Sequence, residues 1–300
     1  MRLRQIEDFL AVVEAGGIRA AARKRGVSQP AITRSVSSLE TDLGAQLVQR
    51  TPRGILLTMS GRAFFSRVRA AHSELRRAET EAAAGASVGG SVAFGVGPTA
   101  GVLLVPEAMT GFRRQIPHAH VRIIEGIGQQ LGPLVRDGTL DFAVSGRDHV
   151  EADAALTFKP LFTHQLVVAA RKGHPLRNAR SLKDLVGAEW VNLFPPGSEP
   201  APVKRAFAAA GLPLPVNATQ CESYRILIAL LAQSNMLAMI TGRLLAKAFA
   251  GDSLEAIPIA EKLSVYPTHL ITRTGIPLSR PAALMAKMVV QSARRLAKTA

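Results

Sequence analysis

The chain has 300 residues, of which 47% are hydrophobic, 20% charged and 5% aromatic. This composition argues against global disorder, and the length suits two or three structural units. No apolar run in the sequence reaches the ~18–20 residues that cross a bilayer, and the N-terminus lacks the uninterrupted apolar stretch of a secretory signal. We therefore expect a soluble, cytoplasmic protein with no membrane partner.

The charge is concentrated where a polyanion would bind. The formal net charge is +15, which favours a polyanionic partner. Between Gly17 and Thr58, seven basic residues stand against only two acidic ones, Glu40 and Asp42. The basic residues are Arg19, Arg23, Lys24, Arg25, Arg34, Arg50 and Arg53. We expect this segment to be the place where nucleic acid docks.

Three short helices are predicted in the N-terminal segment. Apolar residues at helical spacing predict a first helix that stops at Gly16, and a second helix is expected over 18–25. Gly26 makes a tight turn, and Ser28 caps a third helix that ends near Gly44. Two helices joined by such a short turn, with small residues where they cross, predict a helix-turn-helix.

The exposed side of the third helix carries groups that can read DNA. Gln and Arg side chains can make paired hydrogen bonds to purine edges, and Ser and Thr reach phosphates or bases. Ser28 also places the helix N-terminus where it can face a phosphate. The predicted contacts from this helix are Ser28, Gln29, Pro30, Thr33, Arg34 and Ser37.

A basic hairpin is predicted after the third helix. Residues 47–48 and 55–57 are typical of short strands, and the loop between them carries Arg50 and Arg53. Such a hairpin forms a wing whose arginines contact the DNA backbone or the minor groove. The alternative is an ordinary three-helix domain with a solvated basic loop.

The motifs of this segment carry a family resemblance. They are Phe9, Glu14-Ala15-Gly16, Ala21-Ala22, Ser28-Gln29-Pro30-Ala31-Ile32-Thr33-Arg34, Leu39-Glu40, Leu43-Gly44, Leu47, Arg50, Leu57-Thr58 and Gly61. In this combination, which spans most of residues 1–65, the chain resembles the LysR-type transcriptional regulators. Gly17 and Ile18 replace the usual Ser-Phe, which we expect to weaken the second helix, and Arg19 replaces a common Thr and adds a phosphate contact.

A long helix is expected from Thr58 or Met59 to about Ala84. Its apolar stripe consists of Phe64, Val68, Ala71, Leu75, Ala78 and Ala82. Because little neighbouring chain is available to cover this stripe, a partner helix is the economical explanation, and the family resemblance likewise implies dimerisation here. We assign Phe64, Val68 and Leu75 to the dimer contact and residues 85–90 to a hinge. Packing of the stripe against its own wing domain is the alternative.

The rest of the chain alternates strands and helices, which predicts α/β organisation with a largely parallel sheet. Strands are expected at 92–96, 121–124, 142–144, 166–170, 237–240, 254–259 and 270–272. Helices are expected at 103–114, 129–136, 202–210, 224–232, 243–249 and 281–298.

The resemblance to the LysR-type regulators continues in this half, through Gly95-Val96-Gly97-Pro98, Pro106, Phe112, Pro117 and Asp137-Gly138. It implies two Rossmann-like lobes of the periplasmic-binding-protein type. The predicted division is 1–58 for the winged helix-turn-helix, 59–90 for linker and hinge, 91–163 plus 266–300 for lobe I, and 164–265 for lobe II. Crossovers between the lobes are expected near 162–164 and 265–267.

An effector would bind at the carboxyl ends of the strands, where helix N-termini present free amides. The candidates are Pro98, Thr99 and Ala100 after the first strand, Ser145 and Gly146 after the third, and Phe194, Glu222, Ser223 and Thr241-Gly242 across the cleft. Thr99 is the leading residue. Amide-rich walls suit a carboxylate or sulfonate, whereas Glu222 suits hydroxyls or a cation equally well. Residues 136–143 and 221–223 are similar to regulators of aromatic-sulfonate catabolism.

Three other classes of protein are alternatives to a regulator. An enzyme or a solute-binding protein on the same two-lobed fold is the main alternative, and a sequence-indifferent DNA binder is the third. The sequence has no Walker A loop, and Gly95-x-Gly97 lacks the third glycine of a dinucleotide fingerprint. We therefore predict that the chain is not an enzyme.

Neither a metal site nor a cofactor is predicted. The seven histidines are scattered, and we expect solvated loop positions rather than metal ligands. The single cysteine, Cys221, excludes an intrachain disulfide and is expected to be a small apolar residue near a strand end.

The partners implied by the family resemblance are an interrupted palindromic operator, a small-molecule effector, and further copies of the chain in a homodimer or homotetramer.

Overall fold

The computed structural model describes residues 1–51, 54–84, 89–146, 153–193, 202–215, 218–248 and 253–298. The chain forms two compact units. The first consists of Met1–Ser87 with Arg136–Thr139, and the second of Val88–Val135 with Leu140–Ala300. Within the described ranges, no helix is both long and apolar enough to cross a membrane.

The first unit consists of helices and one hairpin. Its elements are α1 (Leu3–Glu14), α2 (Ile18–Arg25), α3 (Gln29–Leu43), β1 (Val48–Thr51), β2 (Gly54–Leu57) and α4 (Met59–Ala84). The predicted three helices, hairpin and long helix are confirmed. Gly26 and Gly44 end α2 and α3 with φ of 66° and 63°, a left-handed conformation that glycine adopts without strain. The Ser28 hydroxyl caps α3 by accepting a hydrogen bond of 3.3 Å from the Ala31 amide.

The core of this unit is closed by the start of the long helix. Phe9 and Ile32 are fully buried between α1 and α3. The Phe9 ring lies 5.6 Å from the Phe64 ring and 6.3 Å from the Phe65 ring, measured between centroids. Val68 belongs to the same cluster. The first part of α4 therefore packs on its own helix-turn-helix.

The second unit begins with β3 (Ser91–Val96), α5 (Pro98–Leu103), α6 (Val105–Gln115), β4 (His120–Glu125), α7 (Gly128–Arg136), β5 (Phe142–Gly146) and β6 (Leu156–Arg171). It continues with a 3-10 turn (Leu182–Leu185), β7 (Trp190–Asn192), α8 (Pro202–Ala209), β8 (Ala218–Gln220), α9 (Tyr224–Gln233), β9 (Ala238–Thr241), α10 (Gly242–Ala248), β10 (Leu254–Ile257), β11 (Val265–Arg273) and α11 (Arg280–Lys298).

The main sheet has the order β10-β6-β11-β5-β3-β4, with β9 also paired to β6. Pairing is parallel for β3 with β4 and β5, and for β7 with β8. It is antiparallel for β11 with β5 and β6, and for β6 with β9 and β10. The expectation of a largely parallel sheet is therefore wrong, because β6 and β11 run against every neighbour to which they pair.

β6 and β11 are longer than predicted and form one continuous ribbon. β6 has 16 residues and β11 has 9. The crossovers expected near 162–164 and 265–267 fall inside these strands, where His164 pairs with Tyr266. The register shifts between Thr268 and His269, which marks a bulge or irregularity in the ribbon.

Two hydrophobic clusters lie along the ribbon. In one, the rings of Phe94 and Phe142 stack at 5.1 Å, together with Phe112 of α6 and Met285 of α11. In the other, the Trp190 and Phe207 rings meet edge to face at 5.6 Å. These two apolar centres correspond to two α/β lobes built on shared strands.

Several further elements differ from expectation. The helix predicted at 103–114 corresponds to α6 (Val105–Gln115), whereas the short α5 (Pro98–Leu103) before it was not among the predicted helical ranges. Leu104, with a φ of −113°, separates the two helices, and Pro106 lies in the first turn of α6. β7, β8 and the 3-10 turn were not predicted, since three or four residues are too short for a periodic pattern. The strand expected to extend to residue 259 ends at Ile257.

Candidate functional site

The outer side of α3 is a continuous polar surface. Ser28, Gln29, Pro30, Arg34 and Ser37 are exposed and Thr33 is half-buried, while Ile32, Val36 and Leu39 face the core. Residues three and four apart share one side of a helix, so the polar set lies together. Arg19 is exposed on α2.

The wing is tied to α3 by one carboxylate. Glu40 accepts hydrogen bonds from the backbone amides of Leu47 at 2.7 Å and Val48 at 3.0 Å, which fixes the start of β1 against the third helix. The backbone of Arg50 lies in β1 opposite Ile55. The side chain of Arg50 and all of Arg53 lie outside the described residues.

The predicted dimer residues are split by the structure into two environments. Phe64 and Val68 belong to the first unit's own core, whereas Leu75 is 49% exposed. Ala71 and Ala78, on the same side as Leu75, are also exposed. The predicted hinge lies outside the described residues, apart from Gly89 and Gly90.

The second unit contains a cavity that opens to solvent at the carboxyl ends of β3 and β5, with about 660 Å³ of empty volume when the open part is included. It is lined by Gly97, Pro98, Thr99, Ala100, Ile127, Ser145, Gly146, His164, Leu166, Leu193, Pro202, Tyr224, Met239, Ile240, Thr241, Leu244, Tyr266 and Thr268. The hydroxyl oxygens of Thr99 and Thr241 lie 3.3 Å apart across it. Six predicted effector residues therefore line one cavity: Pro98, Thr99, Ala100, Ser145, Gly146 and Thr241.

Glycines bring the backbone close to this space. A side chain at Gly97 would meet the Ser145 hydroxyl at 3.0 Å, and one at Gly146 would overlap the Tyr266 ring. The Gly97 amide donates a hydrogen bond of 2.8 Å to the Val144 carbonyl, which joins the ends of β3 and β5. A larger residue at position 97 or 146 would displace Ser145 or Tyr266, both of which belong to the cavity wall.

Two family profiles match this chain. "Bacterial regulatory helix-turn-helix protein, lysR family" covers residues 3–62, and "LysR substrate binding domain" covers residues 85–294. The chain belongs to the LysR family. It is a DNA-binding transcriptional regulator with an effector-binding domain, and not an enzyme.

Relatives of this LysR-type regulator match over most of the chain. The SDS degradation transcriptional activation protein of a Pseudomonas species is 30% identical over 302 residues, which cover 98% of this chain and 97% of the relative. The regulator GalR of Pseudomonas putida is 30% identical over 285 residues, which cover 94% of this chain and 71% of the relative.

Solved structures share the fold of this regulator. CbnR, a LysR family transcriptional regulator, aligns with a TM-score of 0.67 at 23% identity over 98% of this chain and 99% of CbnR. CbnR in complex with its target DNA aligns with a TM-score of 0.65.

Sequence reasoning missed the aromatic and imidazole wall of the cavity. His164 is 3% exposed, and its ring stacks on Tyr266 at 5.4 Å. Burial, and then the charge of Arg243, lower the pKa of His164 to about 4. Burial also raises the pKa of Tyr224 above its usual range. No local motif marks these residues, because His164 and Tyr266 meet through the pairing of β6 with β11, and Tyr224 reaches the same cavity from α9.

Two further predicted residues, Glu222 and Ser223, lie at an adjoining cavity. It is lined by Glu222 and Ser223 with Pro98, Glu125, Gly126, Ile127, Gln130, Leu193, Tyr224 and Arg225. Ser223 caps α9, since its hydroxyl accepts a hydrogen bond of 3.4 Å from the Ile226 amide. Phe194 lies outside the described residues. Glu222 therefore lies beside, and not in, the cavity of Thr99.

The expectation of solvated loop histidines is wrong for His164, His174 and His269, which are buried. His164 and His269 belong to β6 and β11, which extend further than predicted. Among the described residues, no group of three or more His, Cys, Asp or Glu could hold a metal ion. Cys221 is buried directly after β8.

Proposed function

We propose that the regulator reads an interrupted palindromic operator through the exposed side of α3, with Ser28, Gln29, Pro30, Thr33, Arg34 and Ser37 facing the DNA. Arg19, Arg50 and Arg53 contact phosphates beside it. The observation that carries this proposal is that the polar side of α3 is exposed while its opposite side is buried. The site of action is accordingly the cytoplasm.

The DNA contact is tested by fluorescence anisotropy with the duplex upstream of the regulator's own gene and a random duplex of equal length. Arg34→Ala removes a donor that can pair with guanine, and we expect a loss of about 10- to 100-fold in affinity for the upstream duplex. Arg114→Ala, exposed on α6, is the control. Equal affinity of the wild-type protein for both duplexes contradicts the proposal.

We further propose that α4 joins two copies through Leu75 and the neighbouring exposed alanines, and that two such dimers assemble into a homotetramer on DNA. The exposed apolar side chains of Ala71, Leu75 and Ala78 support this arrangement, because the earlier part of the stripe is already covered by the first unit. We also propose that the domains divide as predicted: 1–58 for the winged helix-turn-helix, 59–90 for linker and hinge, 91–163 plus 266–300 for lobe I, and 164–265 for lobe II.

We propose that the effector is an organic anion that binds in the cavity of Thr99. The cavity combines an apolar body with several hydroxyl groups, which suits a ligand with one polar head. A relative named for SDS degradation is in keeping with an effector of this class. Whether it is an aromatic sulfonate, as the local similarity indicates, is part of the test.

The effector class is tested by thermal shift with benzoate, benzenesulfonate and octanoate, each against its uncharged amide. A ligand that binds only the folded protein raises the unfolding midpoint by mass action. We expect at least one anion to raise the midpoint and its amide to leave the midpoint unchanged. Equal shifts with the acids and the amides contradict an anionic effector.

A further inference from the structure

His164 is a buried polar side chain in the wall of the cavity. Its ring is 3% exposed, and within the described part of the chain neither Nδ1 nor Nε2 has a hydrogen-bond partner. His174, also buried, makes an instructive contrast. Its Nε2 lies 3.0 Å from the Asn235 carbonyl, and its Nδ1 accepts a hydrogen bond of 3.0 Å from the Leu176 amide. The fold thus provides hydrogen-bond partners for both ring nitrogens of His174 and for neither ring nitrogen of His164.

The position of the His164 ring is set by aromatic neighbours rather than by polar ones. The ring stacks on Tyr266 at 5.4 Å with an interplanar angle of 18°, and it lies 5.6 Å from the Phe162 ring. A buried polar group that loses water without gaining a partner destabilises the folded state. Such groups are rare in native proteins, and each calls for an explanation.

We infer that His164 is the hydrogen-bonding anchor for the polar head of the effector. The inference rests on the effector cavity proposed above. The hydroxyls of Thr99 and Thr241 lie in the same cavity, and Leu166 and Met239 provide apolar surface for the rest of the ligand. The ligand class that fits is an organic acid with one anionic head and an apolar body.

An anionic head next to His164 makes binding depend on pH. Burial and the Arg243 charge of α10 hold the pKa of the free ring at about 4, so the ring is neutral at physiological pH. The other titratable groups that line the cavity are Tyr224 of α9 and Tyr266 of β11. A bound anion favours the protonated ring and raises its pKa in the complex. Binding then takes up a proton, and affinity rises as the pH falls.

The test uses the full-length protein and whichever of benzenesulfonate, benzoate or octanoate gives the largest thermal shift. Affinity is measured by calorimetry at pH 8 and at pH 5.5. If the anion raises the pKa of the ring by about 2–3 units, wild-type affinity increases by roughly 4- to 30-fold between these values. His164→Leu should lower the affinity at pH 5.5 by at least about tenfold.

Two variants distinguish a ligand-binding role of His164 from a purely structural one. His164→Gln keeps a hydrogen-bonding group that does not titrate, so we expect binding at pH 8 within a few-fold of wild type and a flat pH profile. His118→Gln, at an exposed position of the same unit, should behave as wild type. Without ligand, His164→Leu should melt at the same temperature as wild type or above it, because it removes an unsatisfied polar group.

The outcomes are distinct. If none of the three anions binds the wild-type protein, the organic-acid effector and the anchor both fail. If wild type binds and His164→Leu binds equally at both pH values, the anchor fails and the effector cavity stands. A lower melting temperature of unliganded His164→Leu identifies a structural histidine and also overturns the inference.

Discussion

Thr58 and Gly61 join the wing to the linker helix through contacts that leave little freedom. The Thr58 hydroxyl donates to the Gln46 carbonyl at 2.7 Å and accepts from the Gly61 amide at 2.9 Å, so it caps α4 while holding the hairpin. A Cβ at position 61 would overlap the Leu47 carbonyl oxygen. Glycine is required here for close approach of two backbones rather than for an unusual dihedral angle.

Gly61→Ala should therefore lower the free energy of unfolding of the first unit by about 1–3 kcal/mol, since backbone atoms must move to admit the methyl group. Thermal unfolding followed by far-UV circular dichroism measures the effect. Gly101→Ala is the matched control, because its Cβ meets only the Val96 side chain at 3.4 Å. Equal free energies of unfolding for the two variants would show that the backbone near position 61 admits a methyl group without loss of stability.

At the scale of elements, α4 serves two purposes along its length. Its first turns complete the core around Phe9, and its later turns present Leu75 to solvent. The stripe in the sequence is continuous, so the pattern alone did not reveal where intramolecular packing ends. Substitutions at Phe64 or Val68 would test folding of the first unit before they tested association.

Leu75→Glu is the sharper probe of the proposed dimer. Two carboxylates brought together in an apolar helix pair are costly, and we expect a penalty of about 2 kcal/mol or more per copy and a shift to monomer. Light scattering after size exclusion measures the mass. Ala63→Glu adds the same charge at an exposed position off the stripe. An unchanged mass for Leu75→Glu removes this residue from the interface.

Most elements were predictable from local patterns, whereas the site was predictable only in part. Ser28, Gly26 and Gly44 mark helix ends through chemistry that acts within a few residues. Pro160 and Pro267 obscured β6 and β11, because proline lacks the amide that a strand interior normally uses. Thr99 was found by its position after a strand, but His164 joins it only through long-range pairing.

At the scale of the whole molecule, the two lobes of the second unit share β6 and β11. The apolar clusters around Phe112 and around Trp190 both pack on this ribbon. Hydrogen bonds between the two strands continue from one cluster to the other. We expect the lobes to unfold together, because separating them requires the ribbon to come apart.

Phe112→Ala tests this coupling. The variant removes a fully buried ring from one lobe, which typically costs about 3–5 kcal/mol. Trp190 is the chain's single tryptophan and lies in the other cluster, so its fluorescence during guanidinium unfolding should report the same loss. Arg114→Ala, exposed on the same helix, serves as control. If the guanidinium midpoint measured by Trp190 fluorescence is the same in Phe112→Ala as in the wild-type protein, the lobes unfold separately.

The central position of β11 has a consequence for synthesis. Among the described strands of the main sheet, β11 is synthesised after all the others, yet it lies between β5 and β6 in the middle of the sheet. Until it emerges, the nascent chain carries two unpaired strand edges of the kind that promote aggregation. A transcript that stops before residue 265 therefore yields no partial sensor. We expect chaperones to bind such a chain and proteases to degrade it, even though its helix-turn-helix segment has been translated in full.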